Sequence, residues 1–187
     1  MDDQKRREFD EYFMQISMAV RAKANCLGSK VGAVIVKDNR IVSTGYNGVP
    51  EGMKNCLDGG CLRCINRGEI YPSGTAYDLC ICVHAEQNAL LTAARFGISQ
   101  EGSTVYTTTK PCFGCTKEMV QVKNERVVYL NEWKPHDKDS ILLKKKLIEY
   151  QKILSAIPEV CHLDLEDEPR EWAKGLNSTG PDMQGHQ

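Results

Sequence analysis

No run of apolar residues in this chain approaches the roughly 20 needed to cross a bilayer as a helix. The opening MDDQKRREFDE is charged throughout, without the apolar stretch that directs secretion. No membrane association is therefore expected, and a cytoplasmic location is the default. An excess of one charge is also missing: 24 Lys and Arg face 25 Asp and Glu, for a formal net charge of −1. The short basic cluster Lys144, Lys145 and Lys146 falls on an expected amphipathic helix, where a solvated face accounts for it, so no nucleic-acid partner is expected. There is no internal repeat and no low-complexity segment. At 187 residues the chain is long enough for one domain with a real core.

Cysteine, by contrast, is abundant. Eight of the nine lie between Cys26 and Cys115, six of them in close pairs, while Cys161 stands apart in an apolar context and reads as an ordinary buried thiol. In a reducing compartment, such spacing points to metal ligation or catalysis and away from disulfides.

Apolar residues at helical spacing predict a first helix over about 6–24. VGAVIVK and RIVSTGY, separated by Asp38-Asn39, predict an antiparallel hairpin. Residues from Asn47 to about Asp78 are rich in Gly, Pro, Asn and Cys without periodicity, and a loop of roughly thirty residues needs something to organise it. Beyond it are expected a helix over about 84–96, a strand STVYTTT, a helix from Pro111-Cys112 to about Val122 and a strand RVVYL. A helix over about 139–153 and a short strand EVCHLDL follow. This order predicts an α/β fold, a three-layer αβα sandwich with a mixed central sheet. The expected domain covers 1–165, with a loop over 47–82 that its cysteines are the candidates to organise, and 166–187 is expected to be a disordered tail.

Two motifs carry chemistry: HAE at 84–86 and PCFGC at 111–115. Cys112 and Cys115, three apart at a helix start, present their sulfurs on one face near the positive end of the dipole, which favours thiolates. Two thiolates and a neutral His84 imidazole neutralise Zn²⁺ and leave one coordination position open, the pattern of a catalytic zinc. Glu86 is then more useful as a proton shuttle than as a fourth ligand, which would close the site. The competing reading makes His84 a helix cap, Glu86 a first-turn acid and the two cysteines a structural half-site.

H-x-E followed by P-C-x-x-C resembles the zinc nucleobase deaminases. With VGAVIVKDNRIVSTGYNGVPEG, NCLDGGCLRC and LCICVHAEQNALLTAARFG, the stretch from about Tyr12 to Trp133 closely resembles the deoxycytidylate deaminases. The resemblance implies a cytidine deaminase-like fold, hydrolysis of dCMP to dUMP, dCTP and dTTP as effectors, and a homo-oligomer, often a hexamer. It assigns zinc to His84, Cys112 and Cys115 and proton transfer at N3 and the leaving ammonia to Glu86. Asn47 would contact sugar or base, the Ala85 N–H the pyrimidine carbonyl, and Trp133 the base by stacking, although a core role suits Trp133 equally well.

For phosphate, Arg21, Lys23 and Lys30 near the end of the first helix are candidates, although each taken singly reads as a solvated surface cation. Arg95 matches a position linked to subunit contact and effector response, or is a plain helix C-terminal cation. The resemblance further implies a second, structural zinc on Cys26, Cys56, Cys61 and Cys80. Cys61 and Cys64 form a competing C-x-x-C, and Cys82 stays unplaced. On this reading the alternation Cys80, Cys82, His84, Glu86 hands over from one metal site to the next. Two alternatives remain open: a related deaminase acting on dCTP or another free cytosine nucleotide or nucleoside, and a catalytically silent nucleotide-binding regulator.

Overall fold

The computed structural model describes residues 2–71, 75–134 and 139–167. Helix α1 spans Asp3–Arg21, and Asp2 caps it by accepting the Lys5 N–H. Strands β1 (Gly32–Lys37) and β2 (Arg40–Tyr46) pair antiparallel. Asp38 and Asn39 between them both take positive φ, at 50° and 57°, the conformation a tight hairpin of this twist demands and these residue types tolerate. The loop that follows contains two elements not expected from sequence, a short helix α2 (Leu62–Ile65) and a 3₁₀ turn at Tyr77–Leu79. Helix α3 (Ala85–Arg95), strand β3 (Thr104–Thr109), helix α4 (Phe113–Gln121), strand β4 (Arg126–Asn131), helix α5 (Ser140–Leu154) and strand β5 (Glu159–His162) complete the order.

The sheet order is β2-β1-β3-β4-β5, with β1 antiparallel to β2 and β3, and β3, β4 and β5 mutually parallel. Alternate residues on each strand face opposite sides. Ala33, Ile35, Val105 and Val127 pack with Ala85, Ala89, Leu90 and Met119 of α3 and α4. Val34, Val36, Tyr106 and Val128 pack with Phe13 and Met14 of α1. Both faces of the sheet are thus covered, giving the expected three-layer αβα sandwich.

Gly45 sets how closely α3 lies on the sheet. A Cβ there would sit 2.2 Å from the Ala85 carbonyl oxygen and 2.4 Å from the Ala89 nitrogen, both backbone atoms that cannot rotate away. Gly45→Ala is expected to destabilise the fold by about 1–3 kcal/mol through overpacking, read from a shifted urea midpoint. Because α3 carries Glu86, activity should fall by more than the loss of folded protein explains.

Two expectations are corrected. Arg21 is not a surface cation at the end of α1: it is 1% exposed and makes a bidentate ion pair with Asp167 at 2.6 and 2.8 Å. The same pair anchors Asp167, so packed structure reaches past the expected boundary at 165; residues 168–187 lie outside the described residues. Cys161 is not in an apolar setting either. It is half-buried, its thiol 2.8 Å from a Glu159 carboxylate oxygen and 3.7 Å from Arg126, which is itself doubly paired with Asp10. Val160 beside it on β5 packs with the α3 and α4 residues on the other face of the sheet. Glu159 shares the face of Cys161 by the two-residue period of the strand, and sheet assembly adds Arg126 and Asp10.

Candidate active site and cysteine cluster

The two motifs meet where α3 and α4 begin. His84 is the N-cap of α3 and Cys112 the N-cap of α4, so both lie beside first-turn N–H groups that have no intrahelical acceptor. The two helices are tied together by Gln87, which donates to Glu118 at 2.8 Å and accepts the His84 backbone N–H at 3.1 Å. Behind Cys112, the Tyr150 hydroxyl of α5 donates to the Pro111 carbonyl at 2.7 Å.

His84 Nδ1 lies 3.3 Å from Cys112 Sγ and 3.4 Å from Cys115 Sγ, and the two sulfurs are 3.5 Å apart. Around a tetrahedral zinc with Zn–S of about 2.3 Å and Zn–N of about 2.0 Å, such edges measure roughly 3.5–3.8 Å. The three donors lie within about 0.3 Å of those edges and need only spread slightly to hold the ion. Hydrogen bonding from Cys115 and the adjacent imidazole hold the Cys112 thiol down to about 4, so the thiolate is favoured.

Glu86 is 4% exposed on the inner side of this triad. One carboxylate oxygen lies 3.4 Å from the Thr107 hydroxyl of β3, which also reaches the Thr109 carbonyl at 3.0 Å, and the other lies 3.7 Å from Cys115 Sγ. Burial pushes the carboxyl up to about 6, close to the range where an acid can both take and give a proton near neutrality. Thr107 had no sequence signal, because its facing toward α3 is decided only when β3 joins the sheet.

A cavity opens over the triad. Asn47, Ala85, Glu86 and Trp133 all line it. Asn47 is more constrained than anticipated: its side-chain oxygen accepts the Val31 N–H at 2.7 Å and its amide donates to the Ser29 carbonyl at 2.7 Å, so it also shapes the 29–31 loop. Trp133 does two things at once, forming cavity wall and meeting Tyr150 edge-on at 5.3 Å.

The cations of the cavity are not those expected. Arg21, Lys23, Lys30 and Arg95 are absent from its lining; Arg21 is committed to Asp167, and Arg95 is exposed at the far end of α3. Lys110, Arg63 and Arg67 line it in their place. Lys110 lies 3.3 Å from Glu132 and over the Tyr129 ring. Arg63 is buried, donates to the Thr75 carbonyl and covers the Tyr77 ring. Adjacency of Lys110 to Pro111-Cys112 was the available hint for the first; the two arginines come from the loop, which has no periodicity to read.

The structural-zinc set is also redrawn. Cys26, Cys56, Cys61 and Cys80 do not converge as one quartet. The sulfurs that lie within 4.8 Å of one another are Cys26, Cys56, Cys64 and Cys82, and separately Cys61, Cys64, Cys80 and Cys82. Cys61 caps α2 while Cys64 lies within it, and this turn directs Cys64 toward Cys26 at 3.8 Å and leaves Cys61 beside Cys80 at 3.9 Å. Cys82, unplaced from sequence, belongs to both groups.

The comparisons agree with this geometry. A family model for the "Cytidine and deoxycytidylate deaminase zinc-binding region" matches residues 7–131. The chain is 39% identical over 139 residues to the deoxycytidylate deaminase of Saccharomyces cerevisiae, covering 74% of this chain and 43% of the yeast protein. The Schizosaccharomyces pombe deoxycytidylate deaminase is 34% identical, with 80% of this chain and 45% of that protein covered, so this chain spans less than half the length of either relative. Against the deoxycytidylate deaminase of Mycobacterium phage D29 it is 42% identical, covering 68% of this chain and 98% of the phage protein. The crystal structure of dCMP deaminase from cyanophage S-TIM5 in complex with dCMP and dUMP superposes with a TM-score of 0.60 at 26% identity, covering 87% of this chain and 99% of that one. With its zinc-binding motifs converged at the starts of two helices and two thirds of its length matched, this chain belongs to the cytidine and deoxycytidylate deaminase family.

Proposed function

We propose that this protein hydrolyses dCMP to dUMP and ammonia. The observation that carries the reading is the buried Glu86 carboxylate set against a three-donor site formed by His84, Cys112 and Cys115 at the floor of a cavity. Similarity to deoxycytidylate deaminases from yeast and phage supports the substrate. When bound, zinc acts as a Lewis acid that makes a water nucleophilic near neutral pH.

The chain's own residues do the rest. Glu86 accepts a proton as water attacks C4 of cytosine, delivers it to N3, and then carries the proton of the new C4 hydroxyl to the amino nitrogen, which leaves as ammonia while the C4 carbonyl forms. Desolvation of Glu86 keeps its proton affinity in the range where both transfers are accessible, and the Thr107 hydroxyl lies beside it. The Ala85 N–H at the start of α3 suits the pyrimidine carbonyl, since the first turn of a helix has N–H groups without internal acceptors. Trp133 offers a face for the base. A structural metal in the cysteine loop would hold the cavity wall formed by Cys26, Cys80 and Cys82. A homo-oligomer, regulation by dCTP and dTTP, and a cytoplasmic setting complete the reading; no described helix is long and apolar enough to cross a membrane.

Phosphate recognition is assigned to the cationic wall, with Lys110 as its most testable member. A charge-assisted hydrogen bond contributes about 1.5–3 kcal/mol. Lys110→Ala is therefore expected to raise KM for dCMP by roughly 10-fold or more while leaving turnover of deoxycytidine unchanged. Parallel ammonia-release assays on dCMP, dCTP, deoxycytidine and CMP test the substrate itself. Turnover of dCTP with none of dCMP would overturn it.

A further inference from the structure

The six cysteines from Cys26 to Cys82 do more than offer one four-sulfur site. Their two quartets share Cys64 and Cys82. Measured edges occur in both: Cys26–Cys64 at 3.8 Å in the first, Cys64–Cys80 at 3.8 Å and Cys61–Cys80 at 3.9 Å in the second. A tetrahedron of sulfurs about 2.3 Å from a central zinc has edges of about 3.8 Å. A disulfide, at about 2 Å, is far shorter than any of these. The measured edges match a zinc-thiolate site, and the remaining sulfurs of each group lie within 4.8 Å of one another.

We propose that the six cysteines hold two zinc ions as one binuclear cluster, with Cys64 and Cys82 each bridging both ions. Cys26 and Cys56 complete the first ion's shell, and Cys61 and Cys80 the second's.

A single ion in the first quartet leaves Cys61, fully buried, and Cys80 as unliganded thiols beside a four-thiolate complex of net charge −2. A second ion uses those two sulfurs and the two bridges already present, and the six-thiolate, two-zinc cluster carries the same −2. Donors for that charge surround it: the Leu27 N–H lies 3.3 Å from Cys56 Sγ and the Gly28 N–H 3.3 Å from Cys26 Sγ, while Arg63 and Arg67 share a cavity wall with Cys26, Cys80 and Cys82.

The packing of the loop points the same way. Its buried cluster consists of Cys26, Cys56, Cys61, Cys64 and Cys82, with Leu27, Val49 and Cys80 packed against it, while Leu57, Leu62, Ile65 and Ile70 remain exposed. Three separate stretches of chain meet at these sulfurs, with too little apolar burial to hold them. The proposal does not depend on which nucleotide the active site takes.

The test is zinc content per chain by plasma mass spectrometry after passage over a metal-scavenging resin. The full chain should hold three ions. Cys112→Ser/Cys115→Ser, which lacks the other site's thiolates, should hold two, and Cys61→Ser/Cys80→Ser should hold one ion fewer than the full chain. X-ray absorption at the zinc edge of the Cys112→Ser/Cys115→Ser protein should show an all-sulfur shell and a zinc–zinc component. If that variant misfolds, the full chain's count and its zinc–zinc component decide. Two or fewer ions in the full chain, one or none in Cys112→Ser/Cys115→Ser, iron in place of zinc, or no zinc–zinc component would overturn the proposal.

Discussion

Glu86→Gln is expected to lower kcat for dCMP by about 10²–10⁴-fold, the range that a positioned acid–base group contributes. The substitution keeps the volume and a polar neighbour for Thr107, so the fold should survive with zinc content unchanged. Loss of rate would then report the missing proton carrier and not a missing metal ligand. This distinction matters because the carboxylate lies only 3.7 Å from Cys115 Sγ. If the glutamine variant lost its metal, Glu86 would be a ligand. If it kept both metal and full activity, the proton-transfer assignment would fail. KM should change little, since the interaction that is removed acts in the transition state.

Stripping all metal with a strong chelator under reducing conditions is expected to produce the largest loss of stability. Structural zinc in small domains contributes apparent free energies of about 10–16 kcal/mol, comparable to the whole stability of an ordinary domain. The loss should be uneven. The sandwich has its own core on both faces of the sheet, whereas residues 47–82 have mainly thiols to bury. Limited proteolysis of the metal-free protein should therefore cut first within 47–82, before the α1 and sheet regions. Thiol titration gives a second readout. In the loaded protein only Cys161 lies outside the two metal-ligating groups, and burial pushes its thiol up, so reaction should be slow; all nine cysteines should react after chelation. A metal-free protein that kept the 47–82 segment protected would show that the loop is held by something other than its cysteines.

Much of the architecture was legible because it follows from short-range patterns. The hairpin turned at Asp38-Asn39 as its residue types require, and the helices bearing His84 and Cys112 began where the motifs stood. A spacing of three on one helix decides that Cys112 and Cys115 face the same way, whatever the rest of the chain does. The catalytic constellation accordingly needed only one long-range fact, that α3 and α4 start side by side.

Elsewhere sequence could not decide. Arg21 read as an exposed helix-end cation, yet a carboxylate 146 positions away takes it into the interior. The residues that line the cavity in its place, Lys110, Arg63 and Arg67, come from a strand end and an aperiodic loop, whose directions no local rule predicts. The cysteines illustrate the limit most directly. Their number and crowding were enough to single out the loop as a candidate metal site. Which sulfurs share an ion depends on how Cys26, the α2 turn and the approach to His84 meet in space. Local spacing governs the one site whose ligands lie on two neighbouring helix starts; tertiary contact governs the other, because its ligands arrive from three segments and distances between segments are not written in any one of them.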